Sequence, residues 1–482
     1  MRWRYILKSV GVLTLFFAGT MVVPLTFDLF AMDRSLMPLV KAMGITLVCG
    51  AGPAVIFRHA KAETISQREG MAIVAVGWTA IALFGALPFY FSDASFPFVD
   101  AFFESVSGFT TTGSTILYDI EGLSQGLLLW RSFIQWLGGM GIIVLSIAIL
   151  PFLGVGGMQL YKAEVPSPVP DKLKPRIRDT AATLWKVYAL FTAAEVALLL
   201  VGGMSFFDAL NHAFTTMPTG GFSTRNASVA HFNSVYIDVI LIIFMLLAGI
   251  NFSLHYQLLK GQPLAFWKDS ECRFFLAMCL ILTLVVGINI YHTVYPDAAQ
   301  ALQYAAFQVI SIVTTTGYAT VDYELWPTMS QIILFLCMFV GASAGSTGGG
   351  MKCLRIMLCF KYCYKELFSM IHPRAVIHIK IGGKTVPEDV VRSVLGFLAL
   401  YVALFALFTV LLAGTGVDFV TALGAVAATI GNVGPGFGMV GPVEHFAYIP
   451  YWGKWLLSLC MLLGRLEIYT VIIFVVPEFW RK

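Results

Sequence analysis

The chain has 482 residues, of which 58% are hydrophobic and only 12% charged, with a mean hydropathy of +0.81. Soluble domains carry about 25% charged residues, so these figures exclude a soluble globular protein and define an integral membrane protein. The net charge of +4 excludes little, because in such a protein the placement of charge matters more than its sum.

Taking about 20 apolar residues per crossing, ten spans are expected. They run over roughly 9–30, 36–57, 71–91, 127–150, 183–203, 236–259, 273–295, 331–359, 391–413 and 454–476. The first lacks a small-residue cleavage site and is followed at once by a second, so it reads as a true span rather than a signal peptide. Between later spans lie four shorter apolar stretches, Pro97–Thr110, Phe206–Thr216, Ala299–Thr314 and Val417–Thr429. They are too short to cross, which is the pattern of a re-entrant half-helix, tolerated at membrane depth only where it lines a water-filled cavity.

Each short stretch runs into an extended-looking segment that ends in glycine. The segments are Thr110-Thr111-Thr112-Gly113, Pro218-Thr219-Gly220, Thr314-Thr315-Thr316-Gly317 and Asn432-Val433-Gly434. Glycine takes positive φ at no steric cost, so it lets successive carbonyls turn to one side. Four such strands around one axis would stack rings of backbone oxygens, which can replace the hydration shell of a cation. The half-helices would aim their partially negative C-terminal ends inward, again favouring a cation. Pro218 lacks a donor but keeps its carbonyl, so it is compatible with this role.

The unit is therefore span, half-helix, strand, span, repeated four times after an N-terminal helix pair at 1–69. The repeats are expected at 70–160, 161–262, 263–385 and 386–482. Each holds an even number of spans, so successive units run parallel about an axis along the membrane normal and surround a central pore. The fold class expected is an all-α integral membrane protein of ten transmembrane helices.

Lys and Arg cluster before the first span and after the second, fourth, sixth, eighth and tenth, including Arg2, Arg58, Lys172, Arg178, Lys260, Lys352 and Arg481. By the positive-inside rule both termini are cytoplasmic. The opposite face carries Asp100, Glu104, Asp208, Asp322, Glu324 and Glu444, with Arg131 and Lys454 at span edges. Acidic residues there would concentrate cations at the mouth.

The eighth span is interrupted by Gly341-Ala-Ser-Ala-Gly345-Ser-Thr-Gly-Gly-Gly350, residues too small to hold a rigid helix. A phosphate-binding loop is excluded because Met351-Lys352 follows the last glycine and no strand precedes it. Gly345, Ser346, Thr347, Gly348, Gly349 and Gly350 read instead as a gate crossing the pore beneath the strands, with close packing of small residues as the alternative. Arg465 lies within the last span, and an ionisable residue there is functional by default. Facing the pore, it would oppose cation passage. Its alternative is a pair with a carboxylate on another helix, because Glu467 is only two residues away and points elsewhere. His212, His255 and Glu195 show no ligand-like spacing, and Trp130, Trp185, Trp326, Trp452 and Trp455 read as interface anchors. No nucleophile–base arrangement stands out.

These residues resemble the TrkH/TrkG/KtrB superfamily of potassium uptake proteins, and within it the bacterial TrkH branch. Beyond the four strands, the match includes Gly138-Gly-Met-Gly-Ile142, Gly154-Val-Gly-Gly-Met-Gln-Leu-Tyr161, Gly220-Gly-Phe-Ser-Thr224, Ala344–Gly350, Gly431-Asn-Val-Gly-Pro-Gly436 and Gly464-Arg-Leu-Glu467. The resemblance implies a potassium-translocating subunit of the bacterial inner membrane, working as a homodimer with potassium held at the strand carbonyls. It implies gating by a cytoplasmic TrkA-type ring that carries the nucleotides, with no nucleotide on this chain and no nucleic acid. In the family, glycine in each strand supports potassium selectivity and a serine in the first goes with sodium transport, so four glycines imply potassium. The family's intramembrane loop maps onto Gly341–Gly350 and its pore arginine onto Arg465. A channel-like pore leads over a carrier coupled to protons or sodium, which would show inverted repeats.

Overall fold

A computed structural model of the chain describes residues 1–31, 34–60, 66–93, 96–148 and 177–481. The motif at 154–161 and the basic cluster from Lys162 to Arg176 lie outside the described residues. Helices dominate, with one short antiparallel hairpin in which Lys380 pairs with Thr385 and Ile381 with Lys384.

Among the described residues, six helices are long and apolar enough to cross a membrane, or eight if each of two bent pairs is one span. That number falls short of the ten expected. Helix Gln125–Ala148 has the length, but it carries Arg131 and Gln135 on its buried side. The stretch expected at 331–359 is no single helix: it stops at Val340 and resumes at Cys353. The stretch at 236–259 bends by 103° between Gly249 and Phe252, where Asn251 caps the second piece by accepting from Ser253 N. The last span bends by 113° after Arg465, where Glu467 takes φ +58°. The multi-pass membrane character stands, because length and hydropathy decide it.

The N-terminal helices Trp3–Thr20 and Leu36–Ile56 pack face to face through Gly11 and Gly50, where an added methyl on Gly11 would lie 2.8 Å from the Gly50 carbonyl oxygen. Their end is tied to the next helix by Arg2, whose Nη2 donates to Glu69 Oε2 at 2.6 Å, inside the Ser66/Glu69 capping box. One large apolar cluster gathers around half-helices Phe206–Thr216 and Ala298–Val313. A second gathers the N-terminal helices with half-helices Phe98–Phe109 and Phe419–Ile430. Trp130 and Trp326, expected as interface anchors, are buried in these clusters, and Trp130 Nε1 donates to Gly85 O at 3.1 Å. Trp185, Trp452 and Trp455 are exposed.

Candidate functional site

Three of the four half-helices start on a side-chain cap. Ser205 accepts from Asp208 N, Asp297 from Gln300 N and Asp418 from Thr421 N. The Thr421 hydroxyl and amide hold the Asp418 carboxyl below the usual carboxylate range. Each half-helix then ends in the same way. A residue in left-handed conformation follows it: Thr111 (φ +51°), Thr219 (+58°), Thr315 (+61°) and Asn432 (+54°). The next amide reaches back five residues, from Thr112 to Ser107 O, Gly220 to Thr215 O, Thr316 to Ser311 O and Val433 to Ala428 O, at 2.8–2.9 Å. Two residues beyond each left-handed position comes a positive-φ glycine: Gly113, Gly221, Gly317 and Gly434.

This corrects the second strand by one residue. Gly221, not Gly220, stands where Gly113, Gly317 and Gly434 stand, and Gly220 takes the place of Thr112. A pair of adjacent glycines hides its own register in sequence; only the backbone angles assign it.

The four segments close on one another. An added methyl on Gly113 would lie 2.2 Å from Gly220 O, on Gly221 1.9 Å from Thr316 O, on Gly317 2.0 Å from Val433 O and on Gly434 2.7 Å from Thr112 O. Each strand thus packs on the next and the fourth on the first, a closed ring that only glycine can complete. Among the described residues, the carbonyls of Thr111, Thr112, Gly113, Thr315, Thr316, Gly317, Asn432 and Val433 accept no hydrogen bond. A buried carbonyl without a donor costs about 1–3 kcal/mol unless an ion or water meets it. The oxygen-only donor set fits a hard monovalent or divalent cation. On the face from which the half-helices enter, the four glycines floor a cavity of about 140 Å³ with Arg225, Glu444 and His445 in its wall.

Side chains hold the strands from behind. Thr110 and Thr112 hydroxyls meet at 2.7 Å, Thr314 and Thr316 at 2.8 Å. Asn432 Nδ2 donates to Thr112 Oγ1 at 2.9 Å and to Met461 O at 3.0 Å, joining the fourth strand to the first. Gln135 Nε2 donates to Gly220 O at 2.8 Å. The motif glycines Gly138 and Gly464 bring their helices onto the backbone just before strands one and four, where a methyl would lie 2.0 Å from Phe109 O and 2.1 Å from Ile430 O. Sequence reasoning left Arg131 and Lys454 at span edges and Glu104 and Asp100 on an exposed acidic face. The structure instead pairs them, Arg131 Nε with Glu104 Oε1 and Lys454 Nζ with Asp100 Oδ1, each at 2.6 Å, with Arg131, Glu104 and Lys454 buried and Asp100 half-buried. Gln135, Glu104 and Arg131 were missed because nothing local marks a polar residue as turned toward a strand.

The loop from Gly341 to Lys352 lies against the other ends of the strands. Thr347 Oγ1 donates to Met217 O at 2.9 Å and lies 3.1 Å from Ala248 O, and Gly349 N donates to Thr315 Oγ1 at 2.7 Å. A methyl on Gly349 would lie 2.5 Å from Gly431 O. Gly345 O accepts from Phe252 N, Ser346 Oγ donates to Ser343 O, and Lys352 Nζ donates to Gly348 O. Gly350 turns the chain at φ +68° against Gly341. Arg465 Nη1 donates to Thr347 O at 2.7 Å, while its Nε and Nη2 have no hydrogen-bond partner among the described residues. Arg465 pairs with no carboxylate among the described residues, on another helix or its own, and Glu467 binds Arg355 Nη2 at 2.5 Å.

A closed ring of glycine-turned strands within a bundle of apolar helices defines the class: a multi-pass membrane transport protein. The chain belongs to the TrkH family of cation transport proteins, whose model matches residues 36–482. It is 42% identical to the Trk system potassium uptake protein TrkH of Salmonella typhimurium over the full length of both chains. It is 36% identical to the Trk system potassium uptake protein TrkG of Escherichia coli, covering 99% of each. The crystal structure of the potassium transporter TrkH from Vibrio parahaemolyticus superposes with a TM-score of 0.92 at 40% identity, covering 100% of both chains.

Proposed function

We propose that the chain is the potassium-translocating subunit of a Trk-type uptake system, conducting potassium through the four-strand ring as a channel-like pore. The observation that carries this reading is the set of backbone carbonyls at Thr111–Gly113, Thr315–Gly317 and Asn432–Val433 that meet no protein donor among the described residues. In this reading Thr110, Pro218, Thr219, Gly220, Thr314 and Gly434 complete the ion path, with Gly221 as the filter glycine of the second repeat. The similarity to potassium uptake proteins of the Trk system supports potassium as the ion. The four segments are pore repeats of one membrane domain after the extra N-terminal helices.

The loop Gly345–Gly350 and Arg465 form the gate. Contacts of the loop with strands two, three and four, and of Arg465 with the loop, support this reading, in which a fixed positive charge and a bulky backbone oppose conduction until the loop moves. The force that moves it comes from a cytoplasmic nucleotide-binding ring of the TrkA type, acting on a homodimer in the bacterial inner membrane with both termini cytoplasmic. A potassium carrier coupled to protons or sodium is the second reading, favoured by the two helix pairs bent by 103° and 113°, since broken helices mark carriers.

The test is the reversal potential of the purified protein in liposomes with asymmetric potassium, varying sodium and pH in turn. A potential that tracks potassium alone is expected. A potential that moves with pH or sodium in fixed ratio replaces the channel with the coupled carrier.

A further inference from the structure

Glu104, His212, Gln308 and Ala425 occupy one equivalent position, since each stands seven residues before the left-handed residue of its strand, Thr111, Thr219, Thr315 and Asn432. At three of the four, a polar side chain reaches forward to the segment leaving the strand. Glu104 accepts from Thr115 Oγ1 and Ile116 N, each at 3.0 Å. His212 Nε2 meets Ser223 Oγ at 3.1 Å, and because Nδ1 lies 2.7 Å from the Asp208 carbonyl, which can only accept, the neutral ring keeps its proton on Nδ1 and the hydroxyl donates to Nε2. Gln308 Nε2 makes only long contacts, 3.3 Å to Thr320 Oγ1 and 3.4 Å to Val321 O. Ala425 has nothing to offer, and the fourth strand is held instead by Tyr323, whose hydroxyl donates to Gly436 O at 2.7 Å.

The first brace alone is an ion pair. Arg131 Nε donates to Glu104 Oε1 at 2.6 Å with side chains 2% and 1% exposed. The same guanidinium donates from Nη1 to Ser223 O at 2.9 Å and lies 3.5 Å over the Phe222 ring. One guanidinium therefore fixes the exits of two neighbouring strands, Thr115–Ile116 of the first and Phe222–Ser223 of the second. Charge-assisted bonds are roughly twice as strong as neutral ones. Yet a buried pair gains little folding energy, because desolvation offsets most of the attraction. Stability thus gives no reason for an Arg–Glu pair here where the sibling positions carry a histidine, a glutamine and an alanine.

We propose that Arg131 and Glu104 are positioning residues that determine ion selectivity, holding the first and second strands at the spacing at which their carbonyls distinguish potassium from sodium. The proposal rests on the reading of the four strands as a cation filter. Selectivity is then set mainly on the side of the ring where the brace is ionic, and the third and fourth strands follow.

The experiment is the potassium-over-sodium permeability ratio, from reversal potentials in liposomes, for the parent protein and two variants. In the Glu104→Gln/Arg131→Gln double variant the pair is neutral; in Thr115→Val the pair stays and keeps only its bond from Ile116 N to the first strand. The expected result is a fall of about tenfold in the ratio for the double variant, as loss of one charge-assisted bond implies. A smaller fall is expected for Thr115→Val, which decides the matter alone if the double variant does not fold. As a control, Lys454→Gln/Asp100→Asn removes the other ion pair made by the same half-helix and should lower the melting temperature without moving the ratio. A selective parent with folded variants that keep its ratio overturns the proposal, as does an equal fall in the control. An unselective parent sinks the filter reading itself.

Discussion

Arg465 Nη1 donates to the Thr347 carbonyl at 2.7 Å, tying the end of the last straight helix to the loop beneath the strands. Thr347 in turn donates to Met217 O, so a single side chain connects the arginine to the foot of the second strand. Removing the guanidinium frees the loop and takes away the positive charge. Arg465→Ala is expected to raise potassium flux several-fold in the absence of any regulatory partner, measured as rubidium-86 tracer uptake into liposomes. Flux at or below the parent level would leave Arg465 a packing residue.

The second strand offers a test of register. A methyl on Gly221 would lie 1.9 Å from Thr316 O, a backbone atom of the next strand, at φ +70°. A methyl on Gly220 would meet the Gln135 side chain, which can move. Gly221→Ala is therefore expected to abolish potassium-over-sodium discrimination, and Gly220→Ala to weaken it less. Equal effects in bi-ionic reversal potentials would return the filter position to Gly220.

Glu271 clamps the loop at both ends, its Oε1 accepting from Ala344 N at 2.6 Å and Leu354 N at 3.2 Å. Glu271→Gln keeps the shape and weakens both bonds. A loss of about 1–3 kcal/mol is expected, the usual worth of hydrogen bonds to a charged group. It should be read as a lower thermal midpoint in detergent, together with raised flux like that of Arg465→Ala. A lower midpoint with parental flux would mean that the clamp holds the fold but not the gate.

Glu324 sits in the loop beyond the third strand and accepts from Gly438 N at 2.6 Å. Burial, with Asp322 and Glu444 nearby, pushes its carboxyl up despite that bond. A carboxyl raised in the folded state binds more protons folded than unfolded, so stability falls as pH rises from the ordinary carboxylate value through the raised one. Glu324→Gln is expected to melt higher than the parent at pH 7 and to lose that advantage below about pH 4, where an unperturbed carboxyl is protonated in both states. An advantage that is constant with pH would show that the charge is not the cause.

The transport class and the position of three strands were legible in the chain because their signals are local. Thr-Thr-Thr-Gly after a short apolar run marks a turn wherever it sits, and 58% hydrophobic residues need a bilayer. Straight spans were over-read for the same reason: hydropathy continues past Gly249 and past Arg465, although the helices bend there, whereas the break at Gly341–Gly350 was legible in its small residues. Arg131 and Glu104 lay in plain sight as charges near span ends, but their partners are 27 and 92 residues away along the chain.

A membrane transport protein with four short apolar helices that each run into a glycine turn is legible from local pattern, because hydrophobic length and the steric freedom of glycine act within a few residues. Only the tertiary structure decided that Gly221 rather than Gly220 completes the ring, that Arg131 faces inward to brace two strands, and that Arg465 rests on a carbonyl while Glu467 takes Arg355. Those outcomes depend on which backbone oxygen arrives opposite which residue. Such distances are set when helices far apart in the chain pack together, and local pattern does not encode them.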